Sequence, residues 1–178
     1  MRLRWMTVCG LGVGLALTSV GAAGTMARKY AYELLDSYGN DSGWVAFTQK
    51  PGEPVKMHIE LEAGRVGDHA VHIHENAVCD APDFKGAGGH FNPDKKRHGW
   101  DNPMGHHNGD LPKNVTVGED HTGEATFEMP AISLDPNAPN SIFANGGTSV
   151  VVHAKADDMK TDPTGNAGNR IACAVVKR

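Results

Sequence analysis

A histidine-rich segment, residues 69–110, places the strongest constraint on how this chain can fold. It holds seven of the ten histidines, set among Gly, Pro, Asp and Asn residues that are typical of loops. If His72 and His74 lie on a strand, the period of two puts both imidazoles on one face and Ile73 on the other. The two histidines would then form a rigid chelate for a metal ion.

Three more histidines and a carboxylate follow in this segment at intervals of eight, nine and three residues: His90, His98, His107 and Asp110. Together they complete a tetrahedral zinc site, and a bound ion would order a loop too rich in Gly and Pro for regular structure. One such site takes four ligands, so His72 and His74 are not needed for it. They indicate a second metal, or a ligand that is shared between two metals. His153, at the end of an apolar strand, is a candidate third ligand beside them.

The first 27 residues are typical of a secretory signal peptide, since Arg2 and Arg4 precede an apolar run that ends in small residues. A membrane anchor is the alternative, because residues 5–27 carry no charge. Residues 28–178 would form one domain with fifteen basic and twenty-one acidic residues, a net charge of about −6. Since the domain has no basic tract, neither nucleic acid nor an acidic membrane surface is expected as a partner.

Cys79 and Cys173 are the two cysteines outside the predicted signal peptide. An oxidising compartment favours their pairing, which would close a loop of about 95 residues and contribute roughly 4–5 kcal/mol on the chain-entropy model. Because Cys79 begins the metal-binding loop, the bridge would pin that loop to the C-terminal strand. Two unpaired thiols that help to bind metal are the alternative.

Alternation of apolar and polar residues predicts β structure throughout the domain. The clearest strands are 55–61 and 124–129. Weaker candidates, separated by Gly, Asp, Asn and Pro, are 30–35, 44–48, 70–74, 114–117, 149–154 and 171–176. Eight short strands without a convincing helix predict an all-β sandwich or barrel.

Six motifs together resemble the copper/zinc superoxide dismutase family, in its bacterial secreted type. They are GDHAVHIHE (67–75), GGHFNP (88–93), HG (98–99), HNGDL (107–111), VVHAKADD (151–158) and GNAGNRIAC (165–173). The resemblance runs from about residue 30 to the C-terminus, with the spacings in register. It implies an eight-stranded Greek-key β-barrel with two long functional loops, in a periplasmic or secreted protein.

The resemblance also implies the metal ligands. The copper ligands would be His72, His74, His90 and His153, and the zinc ligands would be His90, His98, His107 and Asp110. His90 would be a bridging imidazolate, and this sharing accounts for the surplus ligands noted above. Asp157 resembles a carboxylate that accepts hydrogen bonds from ligand histidines, here His72 and His98, whereas Asp158 is expected to be a solvated turn residue.

The other implied active-site residues are Arg170 and Thr164. The Arg170 guanidinium would offer donors to a small anion near copper, and Thr164 would narrow the entrance. The implied reaction turns two superoxide anions into dioxygen and hydrogen peroxide as copper is reduced and reoxidised, with His90 carrying a proton in the reduced phase. No organic cofactor is implied, and the oligomeric state is left open, with a homodimer as one option.

Two other functions remain open from the sequence. The chain could be a copper or zinc carrier on the same barrel, or a noncatalytic domain stabilised by zinc and a disulfide. Members of the fold without catalysis should lack copper ligands or the arginine, whereas this chain has all of them, so the enzyme is favoured. Of the remaining histidines, His58 fits the polar face of a strand, and His69 and His121 are expected to face solvent.

Overall fold

The computed structural model describes residues 27–178, so the predicted signal peptide lies outside the described residues except for Ala27. The strands are β1 (Arg28–Asp36), β2 (Asp41–Gln49), β3 (Val55–Leu61), β4 (Gly67–His69), β5 (Val71–His74), β6 (Val115–Val117), β7 (Gly123–Met129), β8 (Thr148–His153) and β9 (Arg170–Val176). Two short 3-10 helices, Lys85–Ala87 and Ala144–Gly146, lie in the connections. Neither of these described helices has the length and apolar character needed to cross a bilayer.

The strands form a curled antiparallel barrel. Seven of them make one sheet in the order β5, β8, β9, β1, β2, β3, β7, and β4 pairs with β6. Only Ala70 separates β4 from β5, so this single extended run links the two sheets. Neighbours such as β3 and β7 are far apart in the chain, as Greek-key connections require. The predicted all-β barrel is confirmed.

One strand boundary differs from the prediction. The backbone N–H of Ala70 donates to the Lys155 carbonyl, and the Ala70 carbonyl accepts from the His153 N–H, both at 2.9 Å. Ala70 therefore leaves the ladder, and the preceding residues Gly67–His69 pair with β6 as a separate strand. The structure has nine strands where the sequence predicted eight, because one extended run is interrupted at a single residue.

Alternating side chains along the strands fill the barrel. In β3 the apolar residues Val55, Met57, Ile59 and Leu61 are buried, whereas the polar residues between them point outward. β3 pairs in register with β7, whose Phe127 and Met129 are also buried. Each fully buried side chain of this kind contributes about 1.5–3 kcal/mol, so the alternation determines which face of each strand turns inward.

A disulfide between Cys79 and Cys173 fastens the long loop to the barrel wall. The two Cα atoms are 5.7 Å apart, and the bridge joins the loop after β5 to strand β9. Phe84, Ala87 and Val151 pack around the bridge in a small apolar cluster. The predicted pairing is confirmed, and it gives the loop a fixed origin on the barrel.

Removing the disulfide should destabilise the fold. Because the bridge closes a loop with a sequence separation of 94 residues, the Cys79→Ala/Cys173→Ala variant should lose about 4–5 kcal/mol of unfolding free energy in urea denaturation. A reductant should lower the stability of the wild type by a similar amount and leave the double variant unchanged. Equal stability of the oxidised wild type and the double variant would contradict this account.

Candidate metal centre

The long loop is held against the free edge of β5 by backbone hydrogen bonds. Phe91 N donates to the Ile73 carbonyl at 2.8 Å, and Ile73 N donates to the Gly109 carbonyl at 2.9 Å. A Cβ on Gly109 would collide with the Ile73 carbonyl, so this close approach requires glycine. The two bonds bring His90 and Asp110, the neighbours of Phe91 and Gly109, alongside the strand.

Four buried histidines meet at this edge: His72, His74, His90 and His153. Each offers a ring nitrogen, and these nitrogens all lie within 4.8 Å of one another. His72 and His74 come from β5, and Ile73 between them lies in the barrel core, as the period of two predicts. His153 ends the neighbouring strand β8. We call these four residues the four-histidine group.

The outer ring nitrogens of this group have hydrogen-bond partners. His72 Nε2 lies 2.7 Å from Asp157 Oδ2, and His74 Nδ1 lies 3.0 Å from the Gly88 carbonyl. Each nitrogen must donate, because carboxylate and carbonyl oxygens only accept. In a neutral imidazole the opposite nitrogen then keeps its lone pair. The partners therefore select the tautomer that leaves a ligand nitrogen on the inner side.

The inner ring nitrogens have no partner within the described residues. They are buried and unsatisfied at His72 Nδ1, His74 Nε2, His90 Nε2 and His153 Nε2. A buried polar atom without a partner costs roughly 1–3 kcal/mol, and a metal ion would satisfy several of these atoms at once. Imidazole nitrogen suits both copper and zinc, so the donor set fits the two metals that the sequence predicts.

Asp110 organises a second buried group, with His90, His98 and His107 around its carboxylate. Oδ1 lies 2.8 Å from His90 Nδ1 and 3.2 Å from His107 Nδ1, and Oδ2 lies 3.1 Å from His98 Nδ1. His90 Nδ1 and His107 Nδ1 are 3.3 Å apart. His90 therefore belongs to both groups, with Nδ1 beside Asp110 and Nε2 without a hydrogen-bond partner.

The two groups of candidate ligands share more residues than His90, the one shared ligand that the sequence predicts. Besides the four-histidine group, a set with ligand atoms within 4.8 Å contains His72, His90, His98 and Asp110, with His72 in the place predicted for His107. His107 is instead placed by its contacts with His90 and Asp110. All seven predicted ligands thus lie in one continuous buried cluster.

Asp157 links the two groups from behind. Its carboxylate accepts from His72 Nε2 at 2.7 Å and from His98 Nε2 at 3.0 Å. Asn114 holds the Asp157 backbone from both sides, accepting from its N–H at 2.7 Å and donating to its carbonyl at 3.0 Å. Gly165 lies so close that a Cβ there would collide with the carboxylate. Asp157 thus has the position that the sequence predicted for it.

Three histidines of the cluster are held neutral. Burial, followed by the repulsion that His72 would exert if both rings were protonated, lowers the pKa of both His90 and His153 to about 3. Burial, followed by the corresponding repulsion from His90, lowers the pKa of His74 well below its usual value. Neutral imidazole is the form that binds metal, so burial prepares these three side chains for coordination.

The carboxylates have the opposite effect on His98. Burial alone would lower the pKa of His98, but hydrogen bonds and charge from Asp110 and Asp157 outweigh it and raise that pKa to about 9. Burial would raise the pKa of Asp110, yet hydrogen bonds from His107, His90 and His98 keep it far below its usual value. Asp110 is therefore anionic, and a metal ion bound at His98 would displace a proton.

The second loop, residues 155–169, is fastened to the metal-binding loop by Asp162. Its carboxylate accepts from the His98 N–H at 2.8 Å and from Arg97 Nη1 at 2.9 Å. Asp158, predicted to be a solvated turn residue, is exposed and accepts from the N–H groups of Lys160 and Thr161. Asp158 therefore closes a turn within the loop, whereas Asp162 positions a candidate ligand.

Arg170 is held at the rim of the four-histidine group. Nη1 donates to the Phe84 carbonyl and Nη2 to the Gly88 carbonyl, each at 2.6 Å. The Gly88 carbonyl also accepts from His74 Nδ1, so the guanidinium lies beside a member of the four-histidine group. With two of its five N–H donors used, the guanidinium keeps others for an anion.

Thr164 is exposed on the second loop, and its hydroxyl takes part in no hydrogen bond among the described residues. Its predicted part in narrowing an entrance stays a prediction. The expectation for His69 was wrong: it is 3% exposed, with Nδ1 2.8 Å from the His153 carbonyl and Nε2 2.7 Å from the Arg65 carbonyl. Because β4 pairs with β6, the alternation along this run turns His69 inward.

Sequence reasoning missed Asn114 and Asp162 as positioning residues. Asn114 was taken only as the first residue of a strand, yet it lies 43 residues from Asp157 in the chain. Asp162 lies 64 residues from His98. No local pattern connects residues at such separations, and only the folded loops bring them together.

Comparisons with known proteins agree with this geometry. Residues 41–176 match the family described as copper/zinc superoxide dismutase (SODC). A superoxide dismutase (Cu-Zn) from Aquifex aeolicus is 48% identical over 124 residues, covering 67% of this chain and 72% of that protein. A superoxide dismutase-like protein from Bacillus subtilis is 37% identical over 153 residues, covering 85% of this chain and 78% of the relative.

The solved structures include a double mutant of a SOD-like protein from Bacillus subtilis. It is similar to this chain with a TM-score of 0.79 and 38% sequence identity. The similarity covers 83% of this chain and 97% of that one. The comparison therefore spans almost the whole length of the solved protein.

Replacing Asp157 should weaken metal binding without removing a ligand. In Asp157→Asn the side chain keeps one acceptor oxygen and loses its charge. One of the two ring N–H groups, at His72 or His98, then has no acceptor and the other has only a neutral one, so both rings are held less firmly. Zinc affinity, measured by competition with a chromogenic chelator, should fall by about 10–100-fold.

Asp158→Asn is the matched control, because Asp158 is adjacent in sequence and bonds only within its loop. Its zinc affinity should stay close to that of the wild type. Equal losses in both variants would show that the loop, rather than the Asp157 carboxylate, sets the affinity.

Proposed function

The chain belongs to the copper/zinc superoxide dismutase family, and we propose that it is an enzyme that converts two superoxide anions and two protons into dioxygen and hydrogen peroxide. One observation carries this proposal. The four-histidine group presents unpartnered inner nitrogens beside a carboxylate-centred group, and His90 is common to both. Such a donor set fits a pair of metals that share one ligand.

We assign the two metals as the sequence predicts. Copper would be held by His72 Nδ1, His74 Nε2, His90 Nε2 and His153 Nε2, and zinc by the Nδ1 atoms of His90, His98 and His107 with the Asp110 carboxylate. When bound, copper supplies one-electron redox chemistry, and zinc, which has none, supplies a fixed positive charge that orders the loop.

The residues behind the ligands keep the inner nitrogens in position. The Asp157 carboxylate and the Gly88 carbonyl accept the outward N–H groups of His72 and His74, so neither ring can rotate without losing a buried hydrogen bond. Rigid imidazoles lower the reorganisation needed when charge changes at the centre. We assign to His90 Nε2 the holding of a proton in the reduced phase, when this nitrogen would no longer hold copper, because the buried atom has no hydrogen-bond partner among the described residues.

Arg170 is the proposed anion-binding residue. The domain carries a net charge of about −6, so a small anion needs a locally positive approach to reach the buried centre. The carbonyls of Phe84 and Gly88 hold the guanidinium in one place, and the Cys79–Cys173 bridge pins the same segment to β9. A fixed cation at the rim attracts and orients superoxide without becoming a metal ligand.

We also propose that the chain is exported and that residues 1–27 are removed. The disulfide supports this, since disulfides persist in oxidising compartments such as the bacterial periplasm. N-terminal sequencing of protein recovered from the periplasm of an expressing bacterium tests both points. Cytoplasmic protein that keeps residues 1–27 would overturn the export proposal.

Superoxide removal should require copper. The protein loaded with copper and zinc should remove superoxide far faster than spontaneous dismutation, and the zinc-only form should show no acceleration, because zinc has no redox chemistry. The measurement is superoxide decay after pulse radiolysis. Tight copper binding without activity would reject the enzyme and favour a metal carrier.

Arg170→Ala should lower kcat/KM for superoxide by about 10–100-fold, since a preorganised charged donor is lost. Arg170→Lys should keep part of the rate, because it retains the charge without the fork of donors. Copper content is measured in each variant, so that a lower rate is not caused by lost metal. Arg170→Ala should also weaken the dependence of the rate on ionic strength.

Arg65→Ala is the matched control, because Arg65 is an exposed arginine whose removal changes the net charge equally. Its rate should remain near that of the wild type. A similar decrease in the Arg65 and Arg170 variants would assign the effect to net charge and contradict a specific role for Arg170.

A further inference from the structure

A third cluster of metal-ligating side chains lies on the outer face of the barrel, away from the buried centre. His58 and Glu60 are two residues apart on β3 and therefore share one face. Glu124 on β7 is directly opposite Glu60. In the sheet order β3 is separated from β5 by β8, β9, β1 and β2, so this cluster and the buried centre lie on different parts of the wall.

The three donor groups lie close to the spacing of a zinc site. His58 Nε2 lies 3.3 Å from Glu60 Oε1 and 3.8 Å from Glu124 Oε1. All three ligand atoms lie within 4.8 Å of one another. Zinc bonds of about 2.0–2.1 Å in a tetrahedron separate neighbouring ligand atoms by about 3.3 Å. Small rotations of the exposed Glu124 side chain would therefore complete the geometry.

Neighbouring side chains orient two of the three ligands. Trp44 Nε1 donates to Glu60 Oε2 at 2.9 Å, which leaves Oε1 directed at His58. His58 Nδ1 lies 2.9 Å from Thr126 Oγ1, and the Trp44 ring centroid is 4.9 Å from that of His58. Metal-binding histidines and carboxylates are commonly held in this way through the atoms that do not touch the metal.

The negative charge of the two glutamates favours a bound cation at this cluster. Like charges directly opposite on paired strands are destabilising, and Glu60 and Glu124 form such a pair. On the same face, Glu128 is opposite a lysine, Lys56, and the two side chains are 3.9 Å apart. Within the described residues, Glu60 and Glu124 make ion-pair contacts with His58 alone. A divalent ion would neutralise both carboxylates at once.

We propose that His58, Glu60 and Glu124 form a surface zinc site that is independent of the buried centre. Zn²⁺ would bind His58 Nε2 and one oxygen of each glutamate, with water in the remaining position, as three-ligand protein sites allow. Because the ligands are partly exposed, the ion would exchange with solvent more readily than one in the buried centre.

Equilibrium dialysis against Zn²⁺ tests this site. The protein is first loaded with copper and zinc at the buried centre, and excess metal is removed. The wild type should then bind one further zinc ion at neutral pH. Glu124→Gln and His58→Gln should each weaken this binding by about tenfold or more, since each removes a ligand. Superoxide removal should be unchanged in Glu124→Gln.

Glu128→Gln is the matched control, because Glu128 is on the same strand and face and its side chain is 65% exposed, against 69% for Glu124. It should keep the further zinc ion. In nuclear magnetic resonance spectra, zinc should shift the His58 ring protons and leave those of the exposed His121 unchanged. Absence of a further zinc ion in the wild type, or equal binding in the Glu124 and Glu128 variants, would overturn the proposal.

Discussion

The structure depends on four buried imidazole nitrogens, at His72, His74, His90 and His153, that the described protein atoms do not satisfy. At roughly 1–3 kcal/mol for each unpaired buried group, such a cluster would be a serious liability in a domain whose total stability is about 5–15 kcal/mol. Bound metal converts this cost into stabilisation. The outer nitrogens of His72 and His74 are bonded to protein while the inner ones are left open, so the cluster is organised for ions and not for a protein-only core.

The surrounding architecture keeps those nitrogens close together. The loop residues His90 and Asp110 would be mobile on their own, but backbone hydrogen bonds dock their neighbours Phe91 and Gly109 on Ile73 at the free edge of β5. Asp157 then ties a histidine from a strand to a histidine from the loop. The disulfide holds the segment whose carbonyls position Arg170. The same contacts therefore stabilise the loop and hold the metal-binding side chains in position.

Much of this could be predicted, because the relevant signals are local. The alternation in β3 predicts its bounds and its buried face, and the spacing of His72 and His74 predicts their common direction. The remainder depends on contacts distant in sequence. Ala70 leaves its ladder because Lys155 and His153 offer it other partners, and His69 is buried through the pairing of β4 with β6. Asn114 and Asp162 likewise become positioning residues only when two loops meet.

Histidine and carboxylate side chains offer metal ligands both at the buried centre and on the outer face of the barrel, but their exposure to water differs. Inside the loops, burial lowers the pKa of His90 to about 3 and forces a neutral ligand whose free nitrogen has no alternative partner. On the outer face, His58 is partly exposed and already contacts Glu60, so water and protons compete with any metal there. The difference in burial therefore distinguishes a centre that retains its metal ions from a surface site whose ion exchanges with solvent. His58, Glu60 and Glu124 have the geometry of a ligand set, and their exposure limits how tightly they can bind.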